Sequence, residues 1–131
     1  MKLRLRSPSL RLRLTQSDVA ALARSGFLEE TIQIGPRAED RMGYRIELSK
    51  DTGNMIALIE GNTITVRVPS VMGMRWADSD EVGIYAQTDW GLKLAIEKDF
   101  KCLQPRAEED DSDAFEHPTG AAGADCGSGE R

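Results

Sequence analysis

The sequence predicts an α+β, β-rich fold in which a β-β-α-β-β unit occurs twice, as a curled sheet or small barrel with two helices. Three observations lead to this prediction. Short segments alternate apolar and polar residues, and the two halves of the chain show the same order of elements. The composition favours an aliphatic core, because 40% of residues are hydrophobic and only 5% aromatic. With 131 residues, the chain is long enough for one modest core.

The first repeat, about residues 1–51, begins with two segments in which leucine alternates with charge. Residues 2–6 and 9–13 are therefore predicted to pair as two half-buried strands of a hairpin. The residues after them, Thr15–Asp18, are typical of a helix start, and Gly26 is suited to end that helix. Two further strands are predicted around residues 27–34 and 43–49.

The second repeat, about residues 55–99, shows the same order of strand, turn, helix and strand. A shift of 54 residues matches apolar positions in the two halves: Leu5, Leu10, Leu12, Leu14, Leu22 and Leu28 fall on Ile59, Ile64, Val66, Val68, Trp76 and Val82. With the next loop six residues shorter, the final strands are matched: Tyr44, Ile46, Leu48, Lys50 and Asp51 fall on Leu92, Leu94, Ile96, Lys98 and Asp99. The sequence therefore indicates a tandem duplication, because two units with one apolar face each can bury those faces together.

Charge is unevenly distributed along the chain. The net charge is −5, but residues 1–103 carry a net charge of +1 and residues 104–131 a net charge of −6. We call residues 104–131 the acidic tail. Its acidic and Gly/Ala/Ser-rich composition predicts a mostly disordered segment, because it has little apolar surface to bury. The predicted folded domain is therefore residues 1–103.

The predicted N-terminal hairpin concentrates positive charge, with five basic residues and no acid in residues 1–13. In a tight hairpin, Arg4 faces Arg11 and Lys2 faces Arg13, and like charges in opposition destabilise a sheet. A counter-charge could come from the acidic tail, from acids of the domain such as Glu97 and Asp99, or from an external anion. The candidate binding residues are Lys2, Arg4, Arg11, Arg13 and, in a predicted turn, Trp90.

Catalytic and metal-binding patterns are weak. The single histidine, His117, lies in the acidic tail, so no nucleophile–base pair is predicted. Phosphate-binding glycine loops are also missing, and no cofactor is expected. The residues that could ligate a metal are Cys102, His117 and Cys126, but their spacing matches no compact ligand motif.

The chain resembles an uncharacterised bacterial family of small soluble proteins, a domain of unknown function. The resemblance covers nearly the whole length, and its most specific part is the stretch EKDFKCL followed by an arginine and an acidic run. The residues that carry it are Leu10–Ser17, Glu60–Ile64, Glu97–Leu103, Arg106, Glu109–Asp111, Phe115 and Pro118. It implies a small soluble domain and carries no assigned activity.

The predicted role is a non-catalytic binding module that uses the basic hairpin face, with the acidic tail as a tethered competitor. An acidic protein or a small anion is the expected partner, whereas nucleic acid is disfavoured because the basic strands contain no aromatic residue. The alternative is an enzyme or metal-dependent accessory protein that uses the strand end Glu97–Cys102 and the tail ligands. A cytoplasmic location without a membrane contact is expected. Dimerisation between sheet edges stays open.

Overall fold

The computed structural model describes residues 1–100, 113 and 115, and Met1–Asp99 form one compact unit. Within these residues, the chain forms eight strands and two helices in the predicted order. Their bounds are β1 Lys2–Arg6, β2 Ser9–Leu14, α1 Gln16–Ser25, β3 Phe27–Gln33, β4 Arg41–Ser49, β5 Ile56–Glu60, β6 Thr63–Pro69, α2 Ser70–Ala77, β7 Gly83–Gln87 and β8 Lys93–Lys98. The predicted α+β, β-rich class is confirmed.

The strands form two separate four-stranded sheets. Sheet A has the order β1-β2-β8-β7 and sheet B the order β3-β4-β6-β5. The strands therefore do not close into the expected small barrel or form one curled sheet. Among the described strands, β1, β7, β3 and β5 are sheet edges. The two central pairs, β2–β8 and β4–β6, are parallel, and the outer pairs are antiparallel.

The two sheets have the same internal design, which supports the predicted duplication. The equivalent strands of the two repeats are β1 and β5, β2 and β6, β3 and β7, and β4 and β8. When each strand of sheet A is replaced by its equivalent, the order becomes β5-β6-β4-β3, which is sheet B read from its other edge. The central registers agree as well, because Leu12 pairs with Ile96 and the equivalent Val66 pairs with Ile46. Ile46 therefore corresponds to Ile96.

That register corrects the sequence alignment by two residues. The predicted match of Ile46 with Leu94 is wrong, because the observed pairing makes Ile46 equivalent to Ile96. The loop between the last two strands is six residues shorter in the second repeat, as predicted, because 18 positions separate Leu28 from Ile46 and 12 separate Ile84 from Ile96. The match of Leu28 with Val82 is wrong by the same amount, because Leu28 pairs opposite Ile46 and Ile84 pairs opposite Ile96. A slip of two residues leaves every side chain on its own face, so alternation alone does not reveal it.

Helix α1 has the predicted signals at both ends. The Thr15 hydroxyl accepts a hydrogen bond from the Asp18 backbone N–H, and the Asp18 carboxylate accepts one from the Thr15 N–H. Gly26 ends the helix at φ 84°, a conformation that costs glycine little. Helix α2 begins after Pro69, without a side-chain cap. The helix starts were thus readable from the sequence.

One hydrophobic core takes residues from both sheets and both helices. The helices contact each other, and each contributes one buried large side chain at the matched position, Leu22 in α1 and Trp76 in α2. The other buried apolar side chains are Leu10, Leu12, Leu14, Tyr44, Ile46, Met55, Val66, Val68, Leu94 and Ile96. None of the helices found in residues 1–100, 113 and 115 is long and apolar enough to cross a bilayer.

Candidate functional site

The face of sheet A that points away from the core carries most of the charge of the hairpin. The observed register of β1 and β2 is the predicted one, with Lys2 opposite Arg13 and Arg4 opposite Arg11. The leucines alternate with these residues, and Leu10, Leu12 and Leu14 are buried. The basic side chains are therefore held in two directly opposed pairs on the outer face of sheet A.

Strand β8 places Glu97 next to this cluster. Its parallel pairing with β2 brings Glu97 opposite Arg13, and the carboxylate lies 3.3 Å from Arg11 Nε and 3.9 Å from Arg13 Nε. The Tyr85 hydroxyl donates a hydrogen bond of 2.8 Å to the same carboxylate. Both Arg13 and Glu97 are nearly inaccessible, at 8% and 9% exposure. Glu97 is thus the centre of a buried ion-pair cluster.

Gly83 provides the space for this cluster. A Cβ atom at Gly83 would lie 2.8 Å from Glu97 Cγ and 2.8 Å from the Tyr85 hydroxyl oxygen, too close for either atom to stay in place. Glycine at this position therefore allows the carboxylate and the phenol to meet above β7.

The first residue of β1 lies at the same end of the sheet as Glu97 and is neutralised by the residue that follows β8. Lys2 Nζ lies 3.3 Å from the Asp99 carboxylate. Of the counter-charges expected from the sequence, the acids Glu97 and Asp99 therefore act within the domain, on Lys2, Arg11 and Arg13. The predicted binding residues Lys2 and Arg13 belong to this neutralised end of the outer face.

At the opposite end of the outer face, the rows of strand residues contain basic side chains and no acidic one. One row across sheet A reads Arg4, Arg11, Ala95 and Tyr85, and the next reads Arg6, Ser9, Lys93 and Gln87. We call Arg4, Arg6, Arg11 and Lys93 the basic end. It combines four cations with small residues at the centre of the sheet.

Trp90 lies in the turn beside the basic end. The backbone N–H of Lys93 donates a hydrogen bond of 2.8 Å to the carbonyl of Pro8, which joins the β7–β8 turn to the β1–β2 turn. Trp90 is 72% exposed and Tyr85 is 59% exposed. The structure therefore brings the predicted residues Arg4, Arg11 and Trp90 to one region.

Two residues of this region were missed from the sequence, Lys93 and Tyr85. Their proximity to the hairpin depends on the parallel pairing of β2 with β8, two strands that are about 80 residues apart in the chain. The alignment with the first repeat identified the strands of this region, but it gave no information on which strand they join. The local pattern therefore contained no signal for a shared surface.

The candidate metal ligands Cys102, His117 and Cys126 lie outside the described residues. Within residues 1–100, 113 and 115, no group of three or more His, Cys, Asp or Glu residues is arranged to hold a metal ion. The alternative site at Glu97–Cys102 is described only as far as Phe100, and there Glu97 and Asp99 contact cations.

Sheet B has an equivalent carboxylate in a different setting. Glu47 takes the place of Glu97 and accepts hydrogen bonds of 2.7 Å from both Arg45 and Arg67. The position of Gly83 is taken by Phe27, and the guanidinium of Arg45 lies 4.3 Å from the centre of its ring. An aromatic side chain therefore packs against one arginine of the sheet B cluster, whereas sheet A carries glycine at that position.

The pKa of the Glu47 carboxyl lies below its usual range because the carboxylate accepts hydrogen bonds from Arg45 and Arg67; burial acts in the opposite direction, and the charges of the two arginines lower the pKa further. Because the folded-state pKa is lowered, this interaction stabilises the fold above the ordinary glutamate pKa and is lost as pH falls through the folded value. We expect Glu47→Gln to reduce, by up to about 1 kcal/mol, the loss of unfolding free energy between pH 7 and pH 3. Urea denaturation at both pH values measures this, with the exposed Glu81→Gln as control; equal losses in both variants would contradict it.

A family model described as a family of unknown function, DUF7009, matches residues 1–119 of the chain. The match includes the compact unit and continues through the acidic run and Phe115 of the tail, ending before the last twelve residues. No curated protein and no solved structure matches the chain.

Proposed function

The chain belongs to DUF7009, a family of unknown function, and from this premise we propose that it is a non-catalytic binding module for an anionic ligand. The ligand site is the outer face of sheet A, centred on the basic end. The observation that carries this proposal is the gradient of charge along that face. Glu97 and Asp99 neutralise one end, while the rows through Arg4 and Arg6 contain no acid.

The comparison of the two sheets supports placing the site on sheet A. In sheet B, Phe27 packs against Arg45, and Arg45 is held by both Glu47 and Glu29. In sheet A, glycine stands in the place of Phe27, and only one acid faces six basic residues on the strands: Lys2, Arg4, Arg6, Arg11, Arg13 and Lys93. The outer faces of sheets A and B have the same strand arrangement, but the face of sheet A has the excess of positive charge that an anion requires.

In this proposal, the acidic tail is a tethered competitor for the basic end. Its acidic segment, which we define as residues 108–113, begins nine residues after Asp99. Nine extended residues span about 30 Å, whereas the six residues of β8 span about 20 Å. The segment can therefore reach the far end of the face, and tethering gives it an effective concentration of roughly 1 mM. The family match includes this segment.

The competitor role is tested in the full-length chain with the acidic segment neutralised. The variant carries Glu108→Gln, Glu109→Gln, Asp110→Asn, Asp111→Asn and Asp113→Asn. We expect amide NMR signals of Arg4, Arg6 and Lys93 to differ between wild type and variant at low salt, and to converge at high salt. Neutralising two exposed acids elsewhere, Asp80→Asn with Glu81→Gln, is the control and should leave these signals in place.

Ligand binding is tested with a fluorescent peptide of residues 104–119 added in trans. The neutralised variant should bind it about tenfold more tightly than wild type, because the tethered copy no longer competes. Equal affinities would remove the competitor role, and absence of binding to both proteins would remove the binding role.

With only two cysteines in the chain, too few for a disulfide scaffold, we place the module in the cytoplasm.

A further inference from the structure

Resting on the proposed function, we infer that the anionic ligand of sheet A is a single-stranded nucleic acid. The hairpin alone lacks aromatic residues, which disfavoured this ligand class in the sequence. The fold supplies them, because β7 and β8 complete the sheet and bring Tyr85 and Trp90 to the basic end. The combination of cations with exposed aromatic rings on one open sheet face distinguishes a nucleic-acid surface from a site for a simple anion.

The geometry of Tyr85 suits a stacking platform. Its hydroxyl is fixed by the hydrogen bond to Glu97, yet 59% of the residue is exposed. In the row across the sheet, Ala95 lies between Tyr85 and Arg11. Because the alanine side chain is short, it leaves space for a flat base to lie against the tyrosine ring. A ring that is held by its hydroxyl end loses little freedom when a base stacks on it.

Trp90 provides the second ring, and the cations provide the contacts to phosphate. Trp90 is 72% exposed in the turn that adjoins Lys93. Arg6 and Lys93 lie in one row, between the row of Tyr85 and the turn that contains Trp90. A single-stranded nucleic acid that runs from Tyr85 to Trp90 would therefore place its phosphates along these cations. Double-stranded ligands are disfavoured, because paired bases have no exposed face to stack on the rings.

The competing acidic tail agrees with this ligand. A run of carboxylates competes with phosphates for the same cations, so the wild-type chain should bind nucleic acid more weakly than the neutralised variant. The overall charge of −5 then belongs to the chain with its competing acidic tail, whereas residues 1–103 by themselves carry +1.

The test measures fluorescence anisotropy of labelled 15-nucleotide oligo(dT) and oligo(U) with the full-length neutralised variant at 50 mM salt. We expect binding at least tenfold tighter than to a 15-base-pair duplex, and about tenfold tighter than by wild type. The logarithm of the binding constant should fall with the logarithm of salt with a slope of about −2 to −3, as for three to four phosphate contacts.

Point variants in the neutralised background separate stacking from charge. Tyr85→Leu and Trp90→Leu should each weaken binding about tenfold. Tyr85→Phe, which keeps the ring, should change it by less than about threefold. Arg6→Gln with Lys93→Gln should weaken binding at least tenfold and reduce the salt slope, while the matched control pair on the helices, Arg24→Gln with Arg75→Gln, should not. Amide NMR spectra establish that each variant is folded.

Each remaining outcome identifies what fails. If the duplex binds as tightly as the single strands, or if both leucine variants bind like their parent, the inference is wrong. If the acidic peptide of residues 104–119 binds but the oligonucleotides do not, the inference is wrong and the anion-binding module stands, with an acidic protein as its partner. If neither probe binds, both the inference and the proposed function fail.

Discussion

Replacing Trp76 with alanine is expected to lower the free energy of unfolding by about 4 kcal/mol. Trp76 is 1% exposed and is the largest side chain of the core, so its removal leaves a cavity between α2 and the sheets that surrounding side chains fill only in part. The ring also lies 5.4 Å from the ammonium group of Lys98, a contact that would be lost. Urea denaturation followed by circular dichroism measures the difference.

Two controls make this expectation specific. Trp76→Leu introduces the residue that the first repeat has at the equivalent position, Leu22, and should cost clearly less than alanine because it refills part of the volume. Trp90→Ala removes the same ring from an exposed turn and should change stability by less than about 0.5 kcal/mol. If Trp76→Ala cost no more than Trp90→Ala, the packing of α2 described here would be incorrect.

Replacing Glu97 with glutamine is expected to cost about 3 kcal/mol at pH 7. The amide keeps the shape of the side chain, but it removes the negative charge that lies against Arg11 and Arg13. Because Arg13 is almost fully buried, its charge would lose a close counter-charge in a region that water solvates poorly. Removing one partner of a buried ion pair is costly for this reason, even where the pair itself contributes little net stability.

The duplicated design supplies a matched control for Glu97. Glu47 has the same position in sheet B and also contacts two arginines, but the side chains of Glu47 and Arg67 are 24% and 37% exposed. Glu47→Gln should therefore cost only about 1 kcal/mol at pH 7, because water replaces part of the lost interaction. Chemical denaturation of both variants under one condition gives the comparison. Equal costs would show that burial does not decide the strength of these two clusters.

Local features of the fold were predictable from the sequence because they depend on neighbouring residues. The register of the β1–β2 hairpin followed from the alternation of leucine and arginine and a short turn, so the opposition of Arg4 and Arg11 was found in advance. The start of α1 followed from Thr15 and Asp18. These signals act over a few residues, and tertiary packing did not override them.

Long-range features were not predictable in the same way. The alignment of the two repeats slipped by two residues at Ile46, because alternation has a period of two and gives the same faces after such a slip. The candidate site was incomplete for a related reason. Lys93 and Tyr85 reach the hairpin only through the parallel pairing of β2 with β8, and nothing in either strand specifies its partner.

The exchange of strands between the repeats has a consequence for assembly. Each sheet takes two strands from each repeat, so one repeat alone completes neither sheet and exposes both of its apolar surfaces. Two separate copies of a single repeat would have to associate to build this core, and their folding would then depend on concentration. The connection across residues 50–55 removes that dependence, because the second half is always present when the first half folds. In its strand arrangement, the chain thus resembles two intertwined copies of one repeat that are joined covalently.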